Sequence, residues 1–338
     1  MNRVALLPAE ERALAFEQTA IRMGLGAAIV VEKDFWVCWT LLQIFSIEEF
    51  PAPLFKGGTS LSKAYGLIQR FSEDVDLVLD RHSLGFSGPD DPAGQTGSKQ
   101  KKRTLDLLRT RCAETVRNQV RPAIEARFRR ELGDSGWMLD PDSDDAQCLL
   151  FAYPPALRVT NAGPRYLRPI VRLEFGCRGD VWPSEARRIH PYLADYFPQL
   201  FNTIDCEVRV LKPERTFWEK VTLLHAVFHS GKRPDRLSRH YYDVSRLYRA
   251  LGDAALADVD LLAHVVEHKT VFFREPAAKY ETARPGTLCI TPGKELEAAL
   301  RSDWREMEEM LFHAAPGFDE ILTDIRAIEE RVNHGLRP

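Results

Sequence analysis

The chain has 338 residues, 44% of them hydrophobic and 28% charged, with a net charge of −3. That length supports a large core and roughly two domains, and the composition is that of an ordinary soluble globular protein. The charge balance excludes wholesale electrostatic attraction to nucleic acid but not a local basic groove, because such footprints are local. The six cysteines, Cys38, Cys112, Cys148, Cys177, Cys206 and Cys289, form no CxxC pair and read as reduced, buried thiols. No apolar run reaches the ~18 residues of a membrane span, and the first residues lack a signal-peptide core. The expectation is a cytoplasmic protein that makes no membrane contact.

In chain order, residues 8–24 predict a helix, opened by Pro8 and by the acids Glu10 and Glu11. Residues 30–46, VVEKDFWVCWTLLQIFS, predict a second and strongly apolar helix. PAPLFKGG reads as a short strand entering a tight turn, residues 59–68 as a helix, and residues 75–79, VDLVL, as a strand. Residues 85–98 are a loop rich in Gly, Pro, Ser and Asp. A long basic helix is expected over about 100–131. From Lys99 to Arg130 there are eleven Lys/Arg against three Asp/Glu, and residues 133–147 then carry five aspartates and no base. This run is either a solvated helix face beside an acidic loop or a track for a phosphate backbone. Strands follow at 148–153 and 169–176, expected to pair, and at 206–211. From Pro213 onward the pattern is almost wholly helical.

The stretch GGTSLSKAYGLIQRFSEDVD, residues 57–76, raises the chemical question. Side chains alternate along a strand, so Asp74 and Asp76 share one face while Val75, Leu77 and Leu79 take the other. Two adjacent carboxylates stay ionised together if a divalent cation supplies compensating charge, and Mg²⁺ prefers one or two carboxylates plus phosphate oxygens. Gly57 and Gly58 allow backbone N–H groups to approach an anion closely. Thr59, if it opens the helix, and the Ser60 hydroxyl would add to a phosphate site. The combination on a strand–helix–strand scaffold points to nucleotidyl transfer, with one or two Mg²⁺ ions and a nucleoside triphosphate. Glu174 in IVRLEFG is a candidate third carboxylate, since Arg172 and Glu174 share the face opposite Val171, Leu173 and Phe175. The plain alternative is a Glu174–Arg172 ion pair.

Residues 212–228, KPERTFWEKVTLLHAVF, form a helix with Phe217, Val221 and Leu224 on a buried stripe. Lys220 sits beside that stripe, where its stem lies along apolar surface and its ammonium reaches the β- and γ-phosphates. Glu219 either orients it or is a surface acid. In the next helix, RHYYDVSRL (239–247), Asp243 either holds Lys220 or contacts a ribose hydroxyl. Trp218 and Tyr241 are candidates to stack on a base. The spaced pairs His225/His229 and His264/His268 lack a third ligand and read as surface or core histidines.

The blocks GGTSLSKAYGLIQRFSEDVDLVL, PERTFWEKVTLLH and SRHYYDVSRL, with VEKDFWVCWTLL before them, together resemble the AbiEii/MenT family of nucleotidyltransferase toxins. The likeness spans about residues 30–250. It implies an α+β, DNA polymerase β-like nucleotidyltransferase fold with a helical C-terminal domain: residues 1–211 as the transferase domain with N-terminal helices, and 212–338 as the helical domain closing the active-site cleft. It also implies transfer of nucleoside monophosphate from an NTP to RNA, with the 3′ end of tRNA as the acceptor class in some members. The biological role it implies is a toxin in phage defence or growth arrest, countered by a separately encoded antitoxin. Position by position, Gly58, Ser60, Asp74 and Asp76 match the first block, Lys220 the lysine of the second and Asp243 the aspartate of the third. Ser72 matches a serine that is a candidate for regulatory modification. Glu174 rests on the strand pattern alone. The loop 85–98 and the basic helix belong to none of these motifs, which leaves the acceptor open.

On this reading the acceptor hydroxyl, deprotonated by metal or by Glu174, attacks the α-phosphorus, and RNA lies along the basic segment with Lys101, Lys102 and Arg103, aided by Arg236 and Arg239. The rival enzyme readings are transfer to a protein hydroxyl or a small molecule, and a metal-dependent nuclease. The rival from another class is a nucleotide- or RNA-binding module without catalysis. The adjacent Asp74 and Asp76 speak against the binding module.

Overall fold

A computed structural model of the chain describes residues 1–70, 72, 74–158, 168–308, 311 and 316–335. The chain divides into two units, residues 1–64, 72–91 and 102–210 in the first, and 65–71, 92–101 and 211–338 in the second.

The first unit is built on a seven-stranded mixed sheet among the described residues. Its helices are α1 (Asn2–Ala5), α2 (Ala9–Met23), α3 (Ala28–Ile44), α4 (Gly57–Lys63), α5 (Ser98–Thr115), α6 (Arg121–Leu132) and α7 (Tyr192–Tyr196). Its strands are β1 (Leu54–Lys56), β2 (Asp74–Val78), β3 (Met138–Pro141), β4 (Cys148–Ala152), β5 (Ile170–Gly176), β6 (Ser184–Ile189) and β7 (Cys206–Leu211), in spatial order β3-β4-β5-β2-β1-β7-β6. β2 lies parallel to β5 and antiparallel to β1, β7 is parallel to β1, and β4 and β5 pair as expected, in antiparallel sense.

Burial fixes the register. Val75, Leu77, Val78 and Leu79 are almost fully buried, as are Val171, Leu173 and Phe175 on β5. Each such side chain contributes about 1.5–3 kcal/mol. A slip of one residue would exchange Val75 and Leu77 for the carboxylates of Asp74 and Asp76, so the register admits no neighbour. On the covered side an aromatic cluster ties helices to the sheet. Trp36 of α3 stacks on Tyr153 at 5.3 Å between centroids, and Phe128 of α6 meets Trp39 at 4.9 Å and Phe151 of β4 at 4.6 Å.

The expected helices at 8–24 and 30–46 are present as α2 and α3. The expected helix at 59–68 is shorter: α4 ends at Lys63, and Gly66 takes a left-handed φ of +64°, after which Arg70 makes a β-bridge to Leu311. The single basic helix is two, joined by a π-helical turn over Val116–Val120. Pro122 lacks the N–H that would continue the regular ladder. Two strands were not visible in the pattern. β3 exposes Met138 and Asp140, and β6 reads SEARRI with Ala186, Arg187 and Arg188 exposed. Both are edge strands, which need no buried face on each side.

The second unit is helical among its described residues: α8 (Pro213–Ser230), α9 (Ser238–Leu251), α10 (Asp253–Ala257), α11 (Val259–Phe272), α12 (Lys294–Met307) and α13 (Phe318–His334). Phe217, Trp218, Val221 and Leu224 of α8, Val244 and Leu247 of α9, and Ile321, Leu322, Ile325 and Ile328 of α13 are fully buried. Tyr242 packs on Trp304 at 5.6 Å, and Trp304 on Phe318 at 5.8 Å. No single helix among the described residues is long and apolar enough to cross a membrane.

Candidate active site

In the first unit the turn after β1 sets the site. Gly57 has φ +77°, a conformation L side chains avoid, and a Cβ placed there would lie 1.8 Å from Oδ2 of Asp76. The Asp76 carboxylate therefore packs against a bare α-carbon. Gly57→Ala would impose about 1–3 kcal/mol of backbone strain and would displace that carboxylate. The expected result is a lowered thermal midpoint together with a deep loss of activity. A variant that stays folded and keeps full activity would refute the close-packing argument.

Gly58 is buried in the first turn of α4. The two hydroxyls that follow both have backbone partners. Thr59 Oγ1 donates to the Asp74 carbonyl at 2.5 Å, with the Ser72 carbonyl at 3.4 Å, and Ser60 Oγ donates to the Gly57 carbonyl at 2.9 Å. Both residues are buried. The Thr59 hydroxyl ties α4 to the start of β2, and the Ser60 hydroxyl bonds within the first turn of α4. Ser72 is half-buried at the same junction.

Asp74 and Asp76 are half-buried on the face of β2 opposite its apolar side. Parallel pairing sets Arg172 beside Asp74 and Glu174 beside Asp76. Glu174 makes the expected ion pair with Arg172 and also lies in the field of Asp74 and Asp76. Its Oε1 lies 3.0 Å from Arg172 Nε, and Arg172 also reaches Asp142 at 3.3 Å. Yet burial, then the charges of Asp76 and Asp74, push the Glu174 carboxyl up to about 7, with Arg172 opposing them. Three carboxylates thus share one electrostatic field.

Because folding raises this carboxyl from 4.5 to about 7, ionising it costs native stability. The cost grows as pH rises from 4.5 to 7 and is complete above that. Glu174→Gln should therefore raise the thermal midpoint in the absence of divalent metal at pH 8, and change it little at pH 4.5. An equal change at both pH values would contradict the assignment.

Among the described residues no three His, Cys, Asp or Glu side chains close into a metal cage. The donor set is an open one, two carboxylates on one strand face with a third alongside. It fits a hard divalent cation that takes its remaining oxygens from phosphate and water.

The second unit supplies a cation cluster. Asp243 on α9 is fully buried. It accepts from Arg70 Nε at 2.8 Å and Nη2 at 2.9 Å, and Lys220 Nζ lies 2.9 Å from its Oδ2. Burial alone would push this carboxyl up, but Arg70 and then Lys220 outweigh it and hold it well below the usual range. Of the two roles weighed for Asp243, the geometry supports holding Lys220. Glu219 accepts from the buried Arg215 at 3.2 Å. Trp218 and Tyr241 are core residues, 0% and 1% exposed, and offer no stacking face for a base.

Arg70 and His240 are functional candidates that motif reading passed over. Each lies inside a quoted block. The available signal was Asp243 itself: a buried acid on an apolar stripe requires buried cations. Arg236 is exposed, and Arg239 is half-buried with its charge facing His240. In the basic run Lys101 is half-buried while Lys102 and Arg103 are exposed. Ion pairs occur further along, from Arg129 to Glu125 at 3.0 Å and from Arg127 to Glu131 at 3.4 Å. The histidine pairs behave as structural groups where hydrogen bonds are seen: His225 is buried against Lys279, Thr282 and Cys289.

A protein-family model described as "Nucleotidyl transferase AbiEii toxin, Type IV TA system" matches residues 41–324. A solved structure, MenT4, a nucleotidyltransferase toxin from Mycobacterium tuberculosis H37Rv, is similar at 18% identity over 94% of this chain and 97% of that one, with a TM-score of 0.43. No curated protein sequence matches.

Proposed function

We infer the reaction from one premise: the chain belongs to the AbiEii family of nucleotidyltransferase toxins of type IV toxin–antitoxin systems. It is thus an enzyme of nucleotidyl transfer on an α+β fold, with a nucleoside triphosphate as substrate and a separately encoded antitoxin as counterpart. Beyond that premise, our reading is that it transfers a nucleoside monophosphate to an RNA hydroxyl, the 3′ end of tRNA, in the cytoplasm, and so blocks translation.

The observation that carries the chemistry is the acid face: Asp76 against bare Gly57, Asp74 two residues before it, and Glu174 on the adjoining strand. Asp74 and Asp76 would hold one or two Mg²⁺ ions. Bound there, Mg²⁺ supplies positive charge to the triphosphate oxygens. Glu174, on the strand beside Asp76, would take the proton of the attacking hydroxyl. As the new bond forms from that oxygen to the α-phosphorus, the bond to the β-phosphate oxygen breaks and pyrophosphate leaves. Lys220 neutralises charge on the β- and γ-phosphates, and Asp243 and Arg70 keep its ammonium in place. Gly58, Thr59, Ser60 and Ser72 shape the turn that holds the carboxylates.

The exposed cations of the basic run, Lys102 and Arg103 among them, support an RNA acceptor, with Lys101, Arg236 and Arg239 as further phosphate contacts. Transfer to a protein hydroxyl or a small molecule would leave them unused. The deciding experiment supplies Mg²⁺, total tRNA and each α-labelled NTP in turn, across a salt series. Label in tRNA, with affinity falling about one log unit per tenfold salt for each phosphate contacted, supports the reading. Label on protein or on a small molecule, indifferent to salt, would remove RNA as acceptor. Shortened RNA would replace transfer by nuclease chemistry.

A further inference from the structure

We propose that His240 is a positioning residue for Lys220, accepting a hydrogen bond from its ammonium through Nδ1 and so directing the remaining N–H at the triphosphate. The proposal rests on the reading of Lys220 as the phosphate clamp.

The geometry is specific. Lys220 Nζ lies 3.4 Å from His240 Nδ1 and 2.9 Å from Asp243 Oδ2. An ammonium has three donors and no acceptor, so the ring nitrogen facing it must carry a lone pair. That places the ring proton on Nε2 and makes the ring neutral. The surroundings enforce the same state. His240 faces Lys220 from α8, Arg239 and Asp243 from its own helix and Arg70 from the 65–71 segment. Burial first, then Lys220 and Arg239, hold its pKa well below the usual histidine value. A protonated ring would set donor against donor beside these cations.

The consequence concerns aim rather than charge. A lysine held by one carboxylate can swing about that contact, because its stem is long and its head is a rotatable point charge. A second acceptor on a different atom removes that freedom. Two donors are then taken, by Asp243 and His240, and the third is left for an anion. Arg70 binds both carboxylate oxygens, so Lys220 shares Oδ2 with the guanidinium. His240 is thus the group that converts a buried ion pair into an oriented donor.

The test uses the full chain with Mg²⁺ and a non-hydrolysable NTP for binding, and NTP with total tRNA for turnover. His240→Phe should raise KM for NTP by about tenfold or more, the scale of one hydrogen bond to a charged group, with a smaller change in kcat. His240→Asn, whose Oδ1 stands close to the Nδ1 position, should restore most of the loss. Nitrogen NMR of ¹⁵N-histidine protein should show His240 neutral, protonated at Nε2 and not titrating between pH 6 and 8. Its Nδ1 resonance should move in Lys220→Met. Wild-type kinetics in His240→Phe, equal loss in Phe and Asn variants, or a ring that titrates normally would each overturn the proposal. Should His240→Phe fail to fold, the NMR measurement decides. If Lys220→Met itself leaves NTP binding unchanged, the reading of Lys220 fails. If Lys220→Met loses binding while His240→Phe keeps it, only the role of His240 fails.

Discussion

Asp76→Asn is expected to abolish nucleotidyl transfer, by at least about a thousandfold, while leaving the fold intact. The magnitude follows from the several kcal/mol of charge stabilisation that a metal ion supplies to a transferring group, at 1.36 kcal/mol per tenfold. Fold retention follows from position. Asp76 is half-buried on the polar face of β2, and the core face is carried by Val75, Leu77 and Leu79. Asparagine keeps the shape that packs against Gly57 and removes the charge. Steady-state rates, circular dichroism and calorimetric titration with Mg²⁺ check this together. A folded variant with weakened Mg²⁺ binding and no transfer fits the account. A variant with undiminished transfer removes Asp76 from the chemistry.

Asp243→Ala should act through stability as well as activity. It would leave the buried cations Arg70 and Lys220 without their shared counter-charge. Breaking a buried ion pair from one side costs about 3–5 kcal/mol, because the remaining charge stays desolvated. The loss should be nearly constant from pH 5 to 8. A carboxyl held below its ordinary value stabilises the fold above that value and gives up the contribution only as pH falls beneath it. Denaturant unfolding measures the loss. A companion variant separates the two effects: Arg70→Met, Lys220→Met and Asp243→Leu together should recover much of the stability and none of the activity. Recovery of transfer in that triple variant would mean the cluster is structural only.

How much of this was legible in the sequence depends on what each residue needs in order to be recognised. Asp74, Asp76 and Glu174 stood out because strand alternation places side chains on opposite faces, and the apolar set Val75, Leu77, Val171, Leu173 and Phe175 fixes which face is which. Lys220 and Asp243 stood out because helical spacing ranks them against buried neighbours. β3 and β6 were invisible for the converse reason: strands at a sheet edge, with charged residues facing solvent, carry no strong period. The backbone partners of the Thr59 and Ser60 hydroxyls follow from the turn at Gly57, a geometry no spacing encodes. Arg70 and His240 were missed because a charge-pair partner is found by tertiary proximity. Arg70 is 173 residues from Asp243 along the chain. Pairing over that distance is a property of the folded unit.

The central claim is that this chain moves the α-phosphoryl group of an NTP, with its nucleoside, onto an acceptor hydroxyl. Parallel reactions with α-labelled and γ-labelled NTP, in Mg²⁺ with total tRNA, test it most directly, with Asp76→Asn and Lys220→Met alongside. The account predicts α-label in RNA, γ-label only in released pyrophosphate, and neither with either variant. Label from the γ-position in the acceptor, or release of inorganic phosphate without α-label transfer to any acceptor, would contradict it.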